Sequence, residues 1–135
     1  MRLIVDSNIL FAAIIKNSTV RKILMHNPYE FLTVGFSEEE INKYKEEILK
    51  KSGLSNEEFE MLFDKLKQKL KMLDDQVINL KFEEAYEIMK NIDPKDSVFI
   101  AAALATNSDI WSDDQHFQKQ NKIKVWKTED LIGLV

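Results

Sequence analysis

Five acidic residues stand where the chain passes from one predicted element to the next, and together they could bind a divalent cation. Asp6 follows one short apolar run, and Asp113 and Asp114 follow another. Glu40 and Asp96 stand near the starts of predicted helices. Carboxylates that crowd together repel each other, so a cluster of them stays ionised only beside cations. Hard oxygen ligands select Mg²⁺ or Mn²⁺, and such ions promote phosphodiester hydrolysis.

Helix capping is the structural alternative for two of these acids. Ser37 and Glu40 have the spacing of a capping box, in which a serine and a later glutamate bind each other's backbone. Asp93 and Asp96 nearly repeat that spacing, with Pro94 at the first helical position. Acids at helix N-termini gain about 0.3–1 kcal/mol each from the helix dipole. Position alone therefore leaves both interpretations open.

Asp6 and the Asp113–Asp114 pair are less well explained by capping. Ser7 or Asn8 could cap the helix after the first strand as well as Asp6 could. Two consecutive acids exceed what a single cap requires. These positions favour the metal-site interpretation over the structural one.

Hydrophobic patterning gives the elements that must position these acids. Predicted strands occupy residues 3–5, 31–34, 110–112 and 124–126, with a weaker extended segment at 77–80. Predicted helices occupy residues 9–15, 18–25, 37–51, 55–70, 82–90, 95–106 and 128–134. Strands that alternate with helices predict an α/β fold with a mostly parallel sheet. Ligands bind beyond the carboxyl ends of such strands, so we expect Asp6, Asp114, Glu40 and Asp96 to converge there.

Length and composition predict one domain in a reducing compartment. The chain has 135 residues, which fits a single domain over 1–135, with a charged helical hairpin at about 37–72. It has no cysteine, which excludes disulfides and thiolate metal sites and fits a reducing interior. The N-terminus makes a poor signal peptide, and no stretch approaches the roughly 20 apolar residues of a membrane span. We therefore expect a cytoplasmic protein.

The charge balance bears on the type of partner. The formal net charge is −4, whereas nucleic-acid binders usually carry a basic excess. A cluster of acids that holds cations would help to explain this value, because bound metals reverse the local sign of charge. Lys65 and Lys69 share one flank of a predicted helix and are candidates for RNA contact, although lysines on a helix usually form a solvated face. His116 could touch metal or substrate, but we interpret it as a solvated surface residue.

Three stretches resemble the motifs of PIN-domain nucleases. Residues 4–10 read Ile-Val-Asp-Ser-Asn-Ile-Leu, which is similar to the first motif and contains Asp6. Residues 93–104 and 110–117 are similar to the third and last motifs, in which Asp96 and Asp114 take the positions of the acidic ligands. The family also has a glutamate early in a helix. Glu40 is chosen here because an apolar residue follows it, and Glu39 is the alternative.

The resemblance implies a three-layer α/β/α sandwich around a mostly parallel sheet of four to five strands. It also implies a Mg²⁺- or Mn²⁺-dependent endoribonuclease with one or two ions. The implied metal ligands are Asp6, Glu40, Asp96 and Asp114. Four further residues are expected to orient these ligands without binding the metal: Ser7, Asn8, Ser112 and Asp113.

The same resemblance suggests partners and leaves other functions open. Small members of the family are commonly toxins of VapBC-type toxin–antitoxin pairs, often dimeric and blocked by an antitoxin, and others process RNA. One alternative is a catalytically silent module that binds protein or nucleic acid. Another is an aspartate-dependent phosphatase, but such enzymes carry a second aspartate where this chain has Asn8.

Overall fold

A computed structural model of the protein describes residues 1–134 and shows one sheet of five parallel strands in the order β3-β2-β1-β4-β5. The single-domain prediction extends one residue further, to Val135, which lies outside the described residues. The strands are β1 (Arg2–Val5), β2 (Glu30–Val34), β3 (Leu70–Leu73), β4 (Asp109–Trp111) and β5 (Val125–Trp126). Every neighbouring pair is parallel.

Helices connect the strands and cover both faces of the sheet. They are α1 (Ser7–Ile15), α2 (Thr19–His26), α3 (Gly35–Lys43), α4 (Lys45–Ser52), α5 (Asn56–Gln68), α6 (Asp75–Asn79), α7 (Phe82–Met89), α8 (Ser97–Thr106), α9 (Gln115–Gln118) and α10 (Thr128–Ile132). A 3₁₀ turn at Pro94–Asp96 leads into α8. Within residues 1–134, no helix is both long and apolar enough to cross a bilayer.

The core divides into two clusters, one on each face of the sheet. Leu3 and Val5 of β1 pack with residues of α1, α2 and α5 on one face. Ile4, between them in sequence, packs with residues of α7 and α8 on the other. Because side chains alternate along a strand, β1 feeds both clusters and is buried on both sides. The predicted three-layer α/β/α fold is confirmed.

Helix α8 is buried on most sides, as its composition predicts. Its alanines at 101, 102 and 103 have no exposed surface. Small side chains let the helix approach the sheet closely, and α8 contacts β1, β2 and β4. This central helix holds the 3₁₀ turn with Asp96 against the sheet.

Two sequence-based assignments in the middle of the chain are wrong. Leu70 was expected to end the helix at 55–70, but residues 70–73 form β3 and pair with β2 from Phe31↔Leu70 to Val34↔Leu73. Residues 77–80 were expected to be extended. They lie largely in α6, which Asp74 starts by accepting a hydrogen bond from the backbone N–H of Gln76 at 2.9 Å. Residues 70–73 are extended because they pair with the free edge of β2. Residues 77–79 are helical because Asp74 caps the helix that contains them.

The predicted helix at 37–51 is two helices in the structure. Tyr44 interrupts it with φ −102° and ψ 18°, between α3 and α4. The Tyr44 ring packs edge-on against Phe11 of α1, with ring centroids 6.1 Å apart. The segment expected to be a helical hairpin at 37–72 therefore contains most of α3, all of α4 and α5, and most of strand β3.

Candidate metal centre

The carboxyl ends of β1 and β4 bring Asp6 and Ser112 side by side. The two strands are neighbours, with Val5 paired to Trp111. The next residue on each strand leaves the sheet, and the backbone N–H of Asp6 still donates to the carbonyl of Trp111 at 3.2 Å. The Ser112 hydroxyl then donates to Oδ2 of Asp6 at 2.7 Å in a buried contact. This hydrogen bond fixes the orientation of the Asp6 carboxylate.

An acidic pocket of about 180 Å³ opens at this edge of the sheet. It contains all four acids that the sequence assigned as metal ligands, and Asp93, which was not assigned. Its lining is completed by Ser7, Asn8, Phe36 and Lys95. Carboxylates from four separate segments therefore converge as expected: the ends of β1 and β4, helix α3, and the turn before α8.

Asp6 is the most deeply buried acid of the pocket, with only 3% of its surface exposed. Burial raises its pKa from 3.8 to about 6, because the charged form loses its hydration. The negative charges of Asp114 and Glu40 raise it further, whereas the hydrogen bond from Ser112 lowers it. The ionised form of Asp6 is therefore less stable, relative to its protonated form, than that of a solvent-exposed aspartate.

The pKa of Asp96 is raised further than that of Asp6. Burial, followed by the charges of Asp6, Asp93 and Asp114, raises its pKa from 3.8 to about 7, and only His116 opposes this shift. Its Oδ2 is buried and has no hydrogen-bond partner among residues 1–134. A buried carboxylate oxygen with no donor is suited to a cation.

Asp114 combines capping with a place in the pocket. Its backbone N–H donates to the Ser112 hydroxyl at 3.0 Å. Its Oδ1 accepts the backbone N–H of His116 at 2.9 Å and starts helix α9. Asp114 therefore caps α9 and also lines the acidic pocket.

Glu40 lines the pocket from helix α3, and the capping-box alternative for it is wrong. Helix α3 begins at Gly35, before Ser37, so Ser37 is not a cap. The Ser37 hydroxyl instead accepts a buried hydrogen bond from Ser7 at 3.1 Å. Of the neighbouring glutamates, Glu39 is exposed and outside the pocket lining. Between Glu39 and Glu40, only Glu40 reaches the acidic pocket.

Asp113 is turned away from the pocket, contrary to the supporting role expected for it. Its Oδ1 accepts the backbone N–H of Thr128 at 2.7 Å, and its Oδ2 accepts the Thr128 hydroxyl at 2.6 Å. The same hydroxyl accepts a hydrogen bond from Nε1 of Trp111 at 3.1 Å. Asp113 therefore fastens the first turn of α10 to the end of β4. Consecutive residues at a strand end point in different directions, which separates Asp113 from Asp114.

His116, which was interpreted from the sequence as a solvated surface residue, lies beside three acids of the pocket. Its ring is 41% exposed, but Nδ1 lies 3.1 Å from Oδ2 of Asp93. Nδ1 is also 3.5 Å from Oδ1 of Asp114 and 3.8 Å from Oδ2 of Asp96. Its position two residues after Asp114, inside the helix that Asp114 caps, was the available signal in the sequence.

The lysines assigned to RNA lie outside the acidic pocket. Lys65 and Lys69 are exposed at the end of α5 and just after it, and neither is part of the pocket lining. Lys67, between them, contacts Glu38 at 3.5 Å and lies over the ring of Phe63 at 4.6 Å. The lysine that does line the pocket is Lys95, which the sequence analysis did not select.

The donor set of the pocket fits a hard divalent cation. Carboxylate oxygens dominate it, and oxygen ligands suit Mg²⁺ and Mn²⁺. The raised pKa values of Asp6 and Asp96 and the unpartnered Oδ2 of Asp96 are the features that a bound cation would relieve. Asp6, Glu40, Asp96 and Asp114 are placed to hold it.

Comparisons with known proteins agree with this architecture. The PIN domain family matches residues 4–132 of the chain. The crystal structure of VapBC2 from Rickettsia felis, bound to a DNA fragment from their promoter, contains a chain similar to this one. The TM-score is 0.72 and the identity 16%, over 94% of this chain and 98% of that chain. No curated protein matches the sequence.

Proposed function

This chain belongs to the PIN-domain family, and on that premise we propose that it is a Mg²⁺- or Mn²⁺-dependent endoribonuclease. The observation that carries the proposal is the convergence of Asp6, Glu40, Asp96 and Asp114 in one pocket. These residues come from four segments of the chain, and the pKa values of Asp6 and Asp96 are raised towards neutral pH. An arrangement that destabilises its own charges favours a cation-binding role over a purely structural one.

The residues of the pocket divide the work of phosphodiester hydrolysis. A divalent ion, when bound, supplies a hydroxide-like water and neutralises charge that grows on the phosphate. Asp6 and Asp96 would hold the principal ion, and Glu40 and Asp114 would complete its ligand shell or hold a second ion. Ser112 keeps the Asp6 carboxylate in one orientation through the 2.7 Å hydrogen bond.

The supporting roles of Ser7, Asn8 and Ser112 belong to the same proposal. Ser7 and Asn8 line the pocket, and Ser7 is anchored to Ser37 of α3. Lys95 at the pocket is placed to meet a substrate phosphate. Lys65 and Lys69 remain candidates for RNA contact away from the scissile bond, and neutralising them should then reduce the salt dependence of RNA binding.

Cleavage of single-stranded RNA by the purified protein tests the proposal. We expect activity with Mn²⁺ or Mg²⁺ and none in excess chelator. Asp6→Asn should lower the rate by about 100-fold or more, because even residues behind metal ligands are commonly worth about 10–100-fold. Asp113→Asn is the matched control, since it makes the same charge change outside the pocket. Cleavage that persists in chelator, or equally in both variants, would end the proposal.

We further propose that the nuclease is the toxin of a toxin–antitoxin pair and acts in the cytoplasm. The structural neighbour is named as a VapBC2 complex on promoter DNA, which supports an antitoxin partner here. A mainly apolar groove between α1 and α4, with Phe11 and Tyr44 in its wall, adjoins the acidic pocket through Asn8, which lines both. A partner seated in that groove would reach the ligands.

Expression in bacterial cells separates a toxin from an RNA-processing enzyme. Wild-type protein should arrest growth, and Asp6→Asn should not. Normal growth with active wild-type protein would remove the toxin assignment and leave the nuclease. A homodimer is also proposed, with the exposed apolar side chains Leu80, Phe82 and Tyr86 available for contact. Light scattering at increasing protein concentration tests it.

A further inference from the structure

We infer that His116 supplies an imidazole nitrogen, beside Asp93 and Asp96, to a divalent ion in the acidic pocket. This inference rests on the proposed function for the presence of an ion. It goes beyond that function by adding a nitrogen ligand and a carboxylate that the four assigned acids do not include. It also predicts which metal this side of the pocket prefers.

The distances between the donor atoms fit a shared cation. One donor atom from each of Asp93, Asp96 and His116 lies within 4.8 Å of the other two. Nδ1 of His116 is 3.1 Å from Oδ2 of Asp93 and 3.8 Å from Oδ2 of Asp96. In an octahedral site with bonds of about 2.1 Å, adjacent ligands are about 3.0 Å apart and opposite ones about 4.2 Å apart. The 3.1 Å distance matches adjacent ligands, whereas the 3.8 Å distance lies between the two ideal values, so a side chain would shift by about 0.4–0.8 Å on binding.

Two of these donor atoms form no hydrogen bond with residues 1–134. They are Nδ1 of His116 and Oδ2 of Asp96, and both are buried. Leaving a polar atom buried and unpaired is costly, so such atoms are usually satisfied by something. A single cation between them satisfies both at once.

In Asp93 and His116, the atom that fixes the residue in place is not the atom that would bind the cation. Oδ1 of Asp93 accepts the backbone N–H of Lys95 at 3.2 Å, which leaves Oδ2 facing His116. The backbone N–H of His116 donates to Asp114 at 2.9 Å, which fixes the first turn of α9. The next residue, Phe117, is fully buried and packs edge-on against Phe99 of α8. The ring of His116 is therefore carried by an anchored helix.

A nitrogen ligand changes the metal preference of the pocket. Mg²⁺ takes oxygen ligands almost exclusively, whereas first-row transition metals also accept imidazole, the later ones such as Zn²⁺ most strongly and Mn²⁺ least. We therefore expect His116 to favour Mn²⁺ over Mg²⁺. The competing possibility is that His116 only contacts the acids in the metal-free protein and is displaced by the metal. The two roles predict opposite responses when the ring is removed.

Calorimetric titration of the whole protein with Mn²⁺ and with Mg²⁺ separates these roles. His116→Gln should weaken Mn²⁺ binding by about tenfold or more and Mg²⁺ binding much less. His26→Gln is the matched control, because His26 is the other histidine of the chain and is exposed at the end of α2. It should change neither affinity. Asp93→Asn keeps a side-chain oxygen for the cap and should also weaken Mn²⁺ binding.

Pulsed electron paramagnetic resonance of the Mn²⁺-bound wild-type protein gives a readout independent of activity and of any variant. A directly bonded nitrogen should appear as a ¹⁴N coupling, and this coupling should be lost in His116→Gln. Absence of the coupling in wild-type protein, or Mn²⁺ affinity that is unchanged or higher in His116→Gln, overturns the inference. If wild-type protein binds Mn²⁺ and cleaves RNA in that case, the proposed function survives. If it binds no metal, both fail.

Discussion

The acidic pocket and the charged helices α4 and α5 differ in how their carboxylates are neutralised. In α4 and α5, glutamates pair with lysines near the surface, as in Lys45–Glu60 at 2.9 Å and Lys51–Glu47 at 3.0 Å. In the pocket, Asp6 is buried and Asp96 partly buried among other acids, and both carry raised pKa values. The glutamates of α4 and α5 have lysine partners and water, whereas the pocket has more carboxylates than cationic side chains.

The difference shows which charges are informative about function. Exposed ion pairs add little to stability because water already solvates both partners. Buried like charges cost stability, and they are kept where an external cation or a reaction makes use of them. The net charge of −4, which counts against a nucleic-acid binder, is partly the sum of acids gathered at this one edge. The following predictions would sharpen or break this contrast.

Added metal should produce the largest effect. Mn²⁺ at about 100 times its dissociation constant should raise the free energy of unfolding by about 2.7 kcal/mol, because it binds only the folded pocket. Thermal denaturation followed by circular dichroism measures the shift. Asp96→Asn should lose it, whereas Glu60→Gln, which removes a charge from α5, should keep it. Equal shifts in the two variants would mean that metal binds elsewhere.

The metal-free protein should lose stability as pH rises from about 4 to about 7. Asp6 and Asp96 have folded pKa values of about 6 and about 7, above the 3.8 of the unfolded chain. In this window the folded state binds more protons, so the free energy of unfolding falls with rising pH and levels off only above about pH 8, once Asp96 is ionised.

Urea unfolding in chelator at several pH values isolates this pH effect from other groups. Asp6→Asn mimics the protonated acid, so its stability relative to wild type should grow as pH rises from 4 to 7. Saturating Mn²⁺ should abolish that advantage, because it stabilises the ionised carboxylate. A stability difference that does not change with pH would contradict the raised pKa of Asp6.

Asp113→Ala should have a moderate effect on stability and none on metal binding. The substitution removes two hydrogen bonds to Thr128 at the start of α10, at a cost of about 1 kcal/mol. Chemical denaturation measures the cost, and Mn²⁺ titration supplies the comparison. Weaker Mn²⁺ binding in this variant would show that Asp113 contributes to the metal centre.

Loss of a surface ion pair should have the smallest effect. Glu60→Gln breaks the ion pair with Lys45. The side chain of Lys45 is 27% exposed and that of Glu60 is 51% exposed. The free energy of unfolding should change by less than about 1 kcal/mol, and by less still at high salt. A larger and salt-insensitive loss, measured by urea unfolding, would show that this segment also contains strongly coupled charges.

Local sequence signals were sufficient for the features that depend on a few consecutive residues. The apolar run before Asp6 identified β1 and the acid at its end. The run of small and apolar residues after Asp96 identified the buried helix α8. These assignments succeed because hydrophobic spacing and turn-forming residues act over a few positions, whatever the rest of the chain does.

Tertiary structure alone decided which neighbouring residues belong to the site. Asp113 and Asp114 are adjacent in sequence, but one binds Thr128 and the other lines the pocket. Leu70 continues the helical spacing of α5, yet residues 70–73 form strand β3 beside β2. Asp6 and Ser112 are 106 positions apart and share a hydrogen bond of 2.7 Å. Such contacts depend on how distant segments pack, and that packing sets the direction of each side chain, which no local pattern contains.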